Sequence, residues 1–286
     1  SHKEKVTVKR VWQKNNPLYI LQVLAFLAKQ KFSLIHIQQE VFCYGNKFSS
    51  YWLILLCLLF KIWKKKIIIT MHSLISFKTV NKAFLQANLI NLPPFLLKTG
   101  LKILYVPLAR LADKIIVHNQ KLKRVLIQDY RIPGNKIKVI LHPLYNLPLK
   151  KKNAKKLRQI ISKNKKRILF FGYLNCYKGL DLLIKTAEKI NFIDLNLELL
   201  IAGSAPQRFK NHKKYQKWLK NLKQKTKKIS SSIKWDQRYL PQEEIKDYFQ
   251  HTDLMVVPRP WGISASGPVM LALASNTPFL ISSAYK

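Results

Sequence analysis

Short apolar runs alternate with amphipathic stretches along this chain, and the alternation predicts strands and helices in turn. Short apolar runs indicate buried strands, and apolar residues three or four positions apart indicate helices. In the first half, strands are predicted at Ser33–Ile37, Lys66–Met71, Lys114–Val117 and Lys136–Leu141. Helices are predicted at Phe48–Ile62, at Gln120–Asp129, and in pieces between Lys82 and Leu111. This order favours parallel sheets in an α/β fold.

The same alternation resumes in the second half, after a stretch from Pro143 to Arg167 that is rich in Lys, Pro and Asn. Strands are predicted at Arg167–Phe171, Leu197–Ala202, Ser231–Trp235, Asp253–Val257 and Pro278–Ile281. Helices are predicted at Gly179–Ile190, Phe209–Lys228, Gln242–Phe249 and Ser266–Ala274. The change in composition predicts a first domain over residues 1–145, a Lys-rich linker over 146–166 and a second domain over 167–286.

Composition is typical of a folded protein with an unusual charge. The 286 residues suffice for two domains, and 48% of them are hydrophobic. There are 52 Lys and Arg residues against 13 Asp and Glu, a formal net charge of +39. Three interpretations stay open: compositional drift, attraction to an anionic membrane, and nucleic-acid binding. The scarcity of Arg counts against nucleic acid, because Arg is the favoured bidentate partner of phosphate and guanine.

The cysteines and one long apolar run bear on compartment and membrane. Cys43, Cys57 and Cys176 show no metal-ligand spacing, which indicates a reducing compartment without a disulfide framework, and Cys57 is predicted to be core. The run from Tyr51 to Phe60 is shorter than the roughly 20 residues of a spanning helix and indicates a buried helix. The chain opens without Met, so we expect a piece of a longer protein.

Two segments have the pattern of a phosphate site. The stretch Leu169–Ile184 predicts a buried strand that ends at Gly172, and then a helix that begins beside Lys178-Gly179. The segment Asp253–Pro268 repeats this order, with a loop of small residues and a helix near Ser266-Gly267. A helix N-terminus attracts anions through its unpaired N–H groups and its dipole, and a lysine there adds charge. A capped helix after a loop is the plainer alternative for the second segment.

An ordered series of such segments resembles glycosyltransferase family 4, the retaining enzymes of the GT-B fold. In the second half the resemblance rests on FFGYLNCYKGLDLLI, LLIAGSA, the stretch from Trp235 to Pro258, and SASGPVMLALASNTPFLIS. In the first half it rests on IHIQQE, IIITMHSL, ADKIIVHN and IKVILHP. The resemblance covers the chain from about Ile35 onward. It implies two Rossmann-like domains with parallel sheets that face across a cleft, with the first strand and loop and the closing helices missing from this chain.

The resemblance also implies the reaction and the site. The activity is transfer of a sugar from a nucleoside-diphosphate donor to a glycan or lipid-linked acceptor, with retention, no cofactor and no metal. His72 would be the catalytic residue at the transferred sugar, and Gln38 and Glu40 would contact the acceptor. The implied donor-binding residues are Gly172, Tyr173, Asn175, Lys178, Arg238, Tyr239, Leu240, Ser264, Ala265, Ser266 and Gly267. Among them, Lys178 would pair with the phosphates, and Arg238, Tyr239 and Leu240 would lie near the nucleotide base, largely through backbone. His36 is expected in the core, and His118 and His142 are expected to be structural.

The chain departs from the family pattern at two places. Gly172-Tyr173 stands where the family often has Gly-Arg, so one phosphate cation is missing, and Ile263 and Leu271 replace a pair of glutamates. The leading hypothesis is a transferase of cell-envelope or glycolipid synthesis, cytoplasmic and held near the inner face of the membrane by its charge. A basic nucleic-acid-binding protein and an inactive transferase homologue are the alternatives.

Overall fold

The computed structural model describes residues 7–13, 16, 18–40, 44, 49–144, 155–260 and 266–283. These residues form two compact units. Unit 1 contains the described residues up to Val80 together with Leu92–Leu141. Unit 2 contains Asn81–Asn91 and the described residues from His142 onward.

Unit 1 is a parallel sheet with helices. Its strands are β1 (Leu34–Gln39), β2 (Lys66–Met71), β3 (Lys114–Val117) and β4 (Ile137–Val139), in the spatial order β1-β2-β3-β4. Its helices are α1 (Tyr19–Leu27), α2 (Ser49–Ile62), α4 (Pro94–Leu111) and α5 (Gln120–Gln128). The core packs the inward side chains of β2 against one face of α2, which buries Cys57 as predicted. The other face of α2 is exposed, so the run from Tyr51 to Phe60 is buried on one side only.

Unit 2 has a second parallel sheet. Its strands are β5 (Lys166–Phe171), β6 (Leu197–Ala202), β7 (Ile233–Asp236), β8 (Leu254–Val257) and β9 (Phe279–Ile281). Its helices are α3 (Lys82–Ala87), α6 (Lys155–Ile160), α7 (Leu180–Ala187), α8 (Lys213–Ile229), α9 (Gln242–Gln250) and α10 (Gly267–Ala274). The order β7-β6-β5-β8-β9 reverses direction at β5, which makes the gap between the ends of β5 and β8 a topological switch point.

The predicted α/β architecture with two parallel sheets is confirmed. Three elements differ from the sequence-based expectation. Helix α1 was not predicted, and α6 lies within residues assigned to the linker, where Leu157 is buried in the core of unit 2. Helix α3 comes from the first half of the chain but groups with unit 2, where Arg208 Nη2 donates to Asn88 Oδ1 at 3.3 Å. Over the part of the chain that is described, no helix combines the length and apolarity needed to cross a bilayer.

Candidate functional site

The switch point of unit 2 carries the first predicted phosphate site. Gly172 directly follows β5 with φ +131°, and Gly203 directly follows β6 with φ +145°. A Cβ on Gly203 would lie 1.8 Å from the Gly172 carbonyl oxygen, so only glycine allows these strand ends to approach as they do. The backbone N–H of Gly172 donates to the Ala202 oxygen at 3.1 Å and continues the pairing of β5 with β6.

The loop after β5 positions Lys178 through a capped turn. Asn175 is buried, and its Oδ1 accepts a hydrogen bond from the Lys178 backbone N–H at 3.1 Å. Gly179 follows with φ +81°, and a Cβ there would lie 2.0 Å from the Pro258 carbonyl oxygen. Because α7 begins at this close approach, the loop after β5 and the end of β8 are held together. This contact brings Lys178 to the segment that follows Pro258.

A buried arginine lies at the same place and was missed by the sequence analysis. Arg259 is 4% exposed, and its guanidinium carbon lies 5.2 Å from the centroid of the Tyr177 ring. Lys178 Nζ lies 5.6 Å from the centroid of that same ring. Two cations therefore share one aromatic neighbour at the switch point. Arg259 is thus a second cation beside Lys178, and its position directly after Pro258 was the available signal in the sequence.

Buried hydrogen-bond donors also lie in these two loops. Ser266 occupies the N-cap position of α10, but its side chain caps no backbone N–H group. Among the described residues, Ser266 Oγ and Asn175 Nδ2 are buried polar atoms without a hydrogen-bond partner. Pro268 has no N–H group, so the first turn of α10 presents those of Gly267 and Val269. Ser264 and Ala265 lie outside the described residues.

The predicted base contacts sit after β7. The Arg238 guanidinium is held by Asp236 at 3.1 Å, by Glu244 and by the Tyr248 hydroxyl at 3.0 Å. The Glu244 contact, above all, raises the pKa of Arg238. Leu240 is buried in the core of unit 2, whereas Tyr239 is 76% exposed, and Tyr173 after β5 is also exposed. The expectation that residues 238–240 meet the base mainly through backbone stays a prediction.

In unit 1, His72 follows β2 and lies beside the predicted acceptor residues. His72 Nε2 donates to Gln38 Oε1 at 2.7 Å, and both Gln38 and Glu40 are exposed at the end of β1. The hydroxyl of Tyr105 donates to the Ser73 oxygen at 3.3 Å. Burial is the larger cause, and the charge of Glu40 the second, of a raised pKa at Tyr105. The structure thus brings His72 and Gln38 into direct contact and places Glu40 directly after β1, the strand that carries Gln38.

Of the other histidines of unit 1, His36 differs from its expected position and His118 contacts His72. His36 was expected in the core, and this was wrong: its side chain is exposed, because β1 alternates and buries Ile37 and Gln39 instead. His36 Nε2 lies 2.7 Å from Thr70 Oγ1. His118, expected to be structural, lies 3.0 Å from His72 Nδ1 through its Nε2 atom.

In the described ranges, no three or more His, Cys, Asp or Glu side chains form a group that could hold a metal ion. The expectation that the reaction needs no metal stays a prediction.

Comparison with known proteins agrees with the fold. HepE from Anabaena, solved in complex with UDP and glucose, is 17% identical with a TM-score of 0.66, over 93% of this chain and 62% of that one. Sucrose-phosphate synthase from Thermosynechococcus elongatus is 15% identical with a TM-score of 0.66, over 93% of this chain and 60% of that one. A glycosyltransferase from Rickettsia africae is 16% identical with a TM-score of 0.60, over 96% and 65%. The chain therefore spans less than two thirds of the length of these structures. No curated protein matches it.

Two parallel α/β units with polar residues at the carboxyl ends of their strands are the architecture of GT-B glycosyltransferases. The family model for Glycosyltransferase Family 4 matches residues 3–144, and the model for Glycosyl transferases group 1 matches residues 151–286. Together they match nearly the whole chain, which therefore belongs to the group 1 glycosyltransferases of the family 4 type.

Proposed function

We propose that this chain transfers a sugar, with retention at the anomeric carbon, from a nucleoside-diphosphate donor to a glycan or lipid-linked acceptor. The observation that carries the proposal is the pair of cations, Lys178 and Arg259, at the switch point of unit 2. Open parallel sheets bind ligands at such points. HepE, which shares the fold, has been solved with UDP and glucose bound, which supports a donor of this class.

The groups of the proposed donor site suit the negative charge that develops during the reaction. Breaking the bond between the sugar and the diphosphate leaves negative charge on phosphate oxygens, and preorganised cations and N–H groups stabilise that charge best. Lys178 and Arg259 supply two positive charges, and the N-terminus of α10 supplies N–H groups at Gly267 and Val269. The buried donors Asn175 Nδ2 and Ser266 Oγ add neutral hydrogen bonds. These groups together take the role that a divalent metal has in other transferases, so we propose that none is required.

An assay of sugar transfer tests the proposal. The protein, at its full natural length, is incubated with UDP- and GDP-sugars and a lipid-linked acceptor, and product is followed by NMR of the anomeric proton. We expect one donor to be consumed with release of its diphosphate and a product of the same anomeric configuration. An inverted product would overturn the retaining assignment. Diphosphate binding without turnover of any donor would favour an inactive homologue.

We also propose that unit 1 rests on an anionic membrane, on the side of the cell where nucleotide sugars are made. Helix α2 exposes an apolar face at Trp52, Leu55, Leu58 and Ile62, and Trp63 directly after it is also exposed. Helix α4, joined to α2 by the Tyr51 hydroxyl on the Gly100 oxygen at 3.0 Å, exposes Phe95, Leu96 and Ile103. An anionic bilayer would attract the lysines of a protein with net charge +39. The exposed apolar side chains would insert into its interface. A membrane-bound enzyme would meet a lipid-linked acceptor of cell-envelope or glycolipid synthesis.

Flotation with lipid vesicles tests the α2 face. The double variant Leu55→Ser/Leu58→Ser should weaken binding to vesicles that contain phosphatidylglycerol by about 10- to 30-fold, since each half-exposed leucine contributes about 1 kcal/mol on insertion. The matched control, Ile193→Ser/Leu195→Ser, removes two exposed apolar side chains of unit 2 and should bind like wild type. Equal flotation of wild type with neutral and anionic vesicles, or undiminished binding of the α2 variant, would contradict the proposal. Nucleic-acid binding that persists at high salt would favour the competing interpretation of the charge.

A further inference from the structure

A row of hydrogen bonds crosses the carboxyl ends of all four strands of unit 1. Gln38 lies on β1, His72 follows β2, His118 follows β3 and Ile140 follows β4, and the spatial order of the strands is the same. Gln38 Oε1 and His72 Nε2 are 2.7 Å apart, and His72 Nδ1 and His118 Nε2 are 3.0 Å apart. His118 Nδ1 and the Ile140 oxygen are 3.0 Å apart. Both nitrogens of the His72 ring are therefore engaged.

The chemistry of the end groups fixes the direction of these bonds. The Ile140 carbonyl only accepts, so His118 Nδ1 carries a proton and donates it. Gln38 Oε1 also only accepts, so His72 Nε2 donates. The amide nitrogen of Gln38 then donates to His36 Nε2 at 3.2 Å, where the Thr70 hydroxyl also lies within 2.7 Å. Because His36 Nε2 can donate or accept, it can contact the Gln38 amide in either orientation of that amide.

His72 Nδ1 and His118 Nε2 share one hydrogen bond in this arrangement. Rotation of the Gln38 amide by half a turn would reverse its contacts with His72 and with His36. In both arrangements His118 keeps its proton on Nδ1, because Ile140 requires it, and His118 Nε2 faces His72. The ring orientation of His72 therefore depends on His118 whichever way Gln38 is turned.

We propose that His118 is a positioning residue for His72, whose ring it holds in one orientation through its Nε2 atom, with Gln38 on the opposite side of the ring. His118 is 8% exposed, so it acts through His72 and does not reach substrate itself. The inference rests on the proposed function, because it gives His72 the place beside the transferred sugar. A sugar hydroxyl that takes the place of the Gln38 amide would meet His72 Nε2 already held in position.

Two amide variants at one position separate positioning from structure. The amide nitrogen of Asn lies close to the place of a histidine Nδ1, and that of Gln close to the place of Nε2. His118→Asn should keep the bond to the Ile140 oxygen and lose the contact with His72. His118→Gln should keep the contact with His72 and lose the bond to Ile140. His212 is exposed in unit 2, and His212→Asn is the control for the effect of a His-to-Asn change away from His72.

The first readout is independent of activity. Side-chain 15N NMR of the full protein, at fixed pH, should show His72 in one proton arrangement in wild type, in His118→Gln and in His212→Asn. In His118→Asn the His72 signals should move toward averaged tautomers. Unchanged His72 signals in His118→Asn would overturn the proposal, and this result would stand whether or not the protein is a transferase.

The second readout is kinetic. His118→Asn should lower kcat by about 10- to 100-fold with KM for the nucleotide sugar nearly unchanged, because a misplaced group costs rate rather than donor affinity. His118→Gln should recover most of that loss. Equal kcat losses in the two variants, or a loss confined to KM, would show a structural role only. If the His72 NMR signals change in His118→Asn as expected but the protein turns over no donor, the proposed function is refuted and the positioning role of His118 stands.

Discussion

Lys178→Ala is expected to weaken the binding of a nucleoside diphosphate by about 10- to 100-fold. A hydrogen bond to a charged group contributes about 1.5–3 kcal/mol, and each 1.4 kcal/mol is a factor of ten in Kd. Lys178 lies in the turn just before α7, where its backbone N–H is held by Asn175 and its Nζ is 5.6 Å from the Tyr177 ring centroid. Isothermal titration of wild type and variant with the preferred diphosphate measures the change in Kd.

A charge change elsewhere on α7 provides the control. Lys185→Ala removes the same charge from an exposed position in the same helix and should change Kd by less than about twofold at physiological salt, since exposed charges are screened. Arg259→Lys should also weaken binding, because a lysine cannot form the two parallel hydrogen bonds of a guanidinium with phosphate. Equal effects of Lys178→Ala and Lys185→Ala would mean that the net charge, and not this site, attracts the ligand.

Glu198→Ala is expected to lower the free energy of unfolding by about 3–5 kcal/mol, the cost of breaking a buried ion pair from one side. Arg167 Nε donates to Glu198 Oε1 at 2.8 Å, and the two side chains are 7% and 0% exposed. The other carboxylate oxygen accepts from the Ser162 N–H at 2.9 Å. The two residues are register partners on β5 and β6, so loss of the carboxylate leaves an uncompensated guanidinium in the sheet. Urea unfolding of wild type and variant measures the difference.

An exposed ion pair in unit 2 is the control for the stability cost of Glu198→Ala. Glu188 pairs with Lys225 at 2.9 Å, with side chains 39% and 46% exposed. Glu188→Ala should cost less than about 1 kcal/mol, because surface pairs are worth little. The double variant Arg167→Met/Glu198→Leu should recover much of the loss, since an apolar pair leaves no buried charge. A cost for Glu198→Ala no larger than that for Glu188→Ala would show that the buried pair does not anchor the sheet.

The sequence predicted best those features that depend on neighbours along the chain. Buried parallel strands are nearly continuous apolar runs, so β2, β3 and β6 were predicted with the bounds that the structure has. The loop at Gly172–Lys178 was predicted as a ligand site because a strand, a glycine and a helix start follow one another. The close approach of Gly179 to Pro258 then places both predicted loops at one switch point.

Features that depend on strand order could not be predicted. The contact between His72 and His118 exists because β2 and β3 are adjacent, and the sequence does not state which strands pair. Arg259 was missed because only the fold brings it to Tyr177. His36 was misplaced because β1 alternates in burial, whereas its apolar neighbours Ile35 and Ile37 indicate a strand buried throughout. Helix α3 groups with unit 2 through tertiary contacts that its own sequence does not indicate.

The central claim is that unit 2 binds a nucleoside diphosphate at Lys178 and Arg259. The most direct measurement is a thermal-shift titration of the protein, at its full natural length, with UDP, GDP, ADP and CMP, each without metal and with magnesium. We predict a concentration-dependent rise in Tm for one diphosphate, of equal size without magnesium, and no rise for CMP. Equal small shifts for all four nucleotides, or a shift that requires magnesium, would contradict the site described for unit 2.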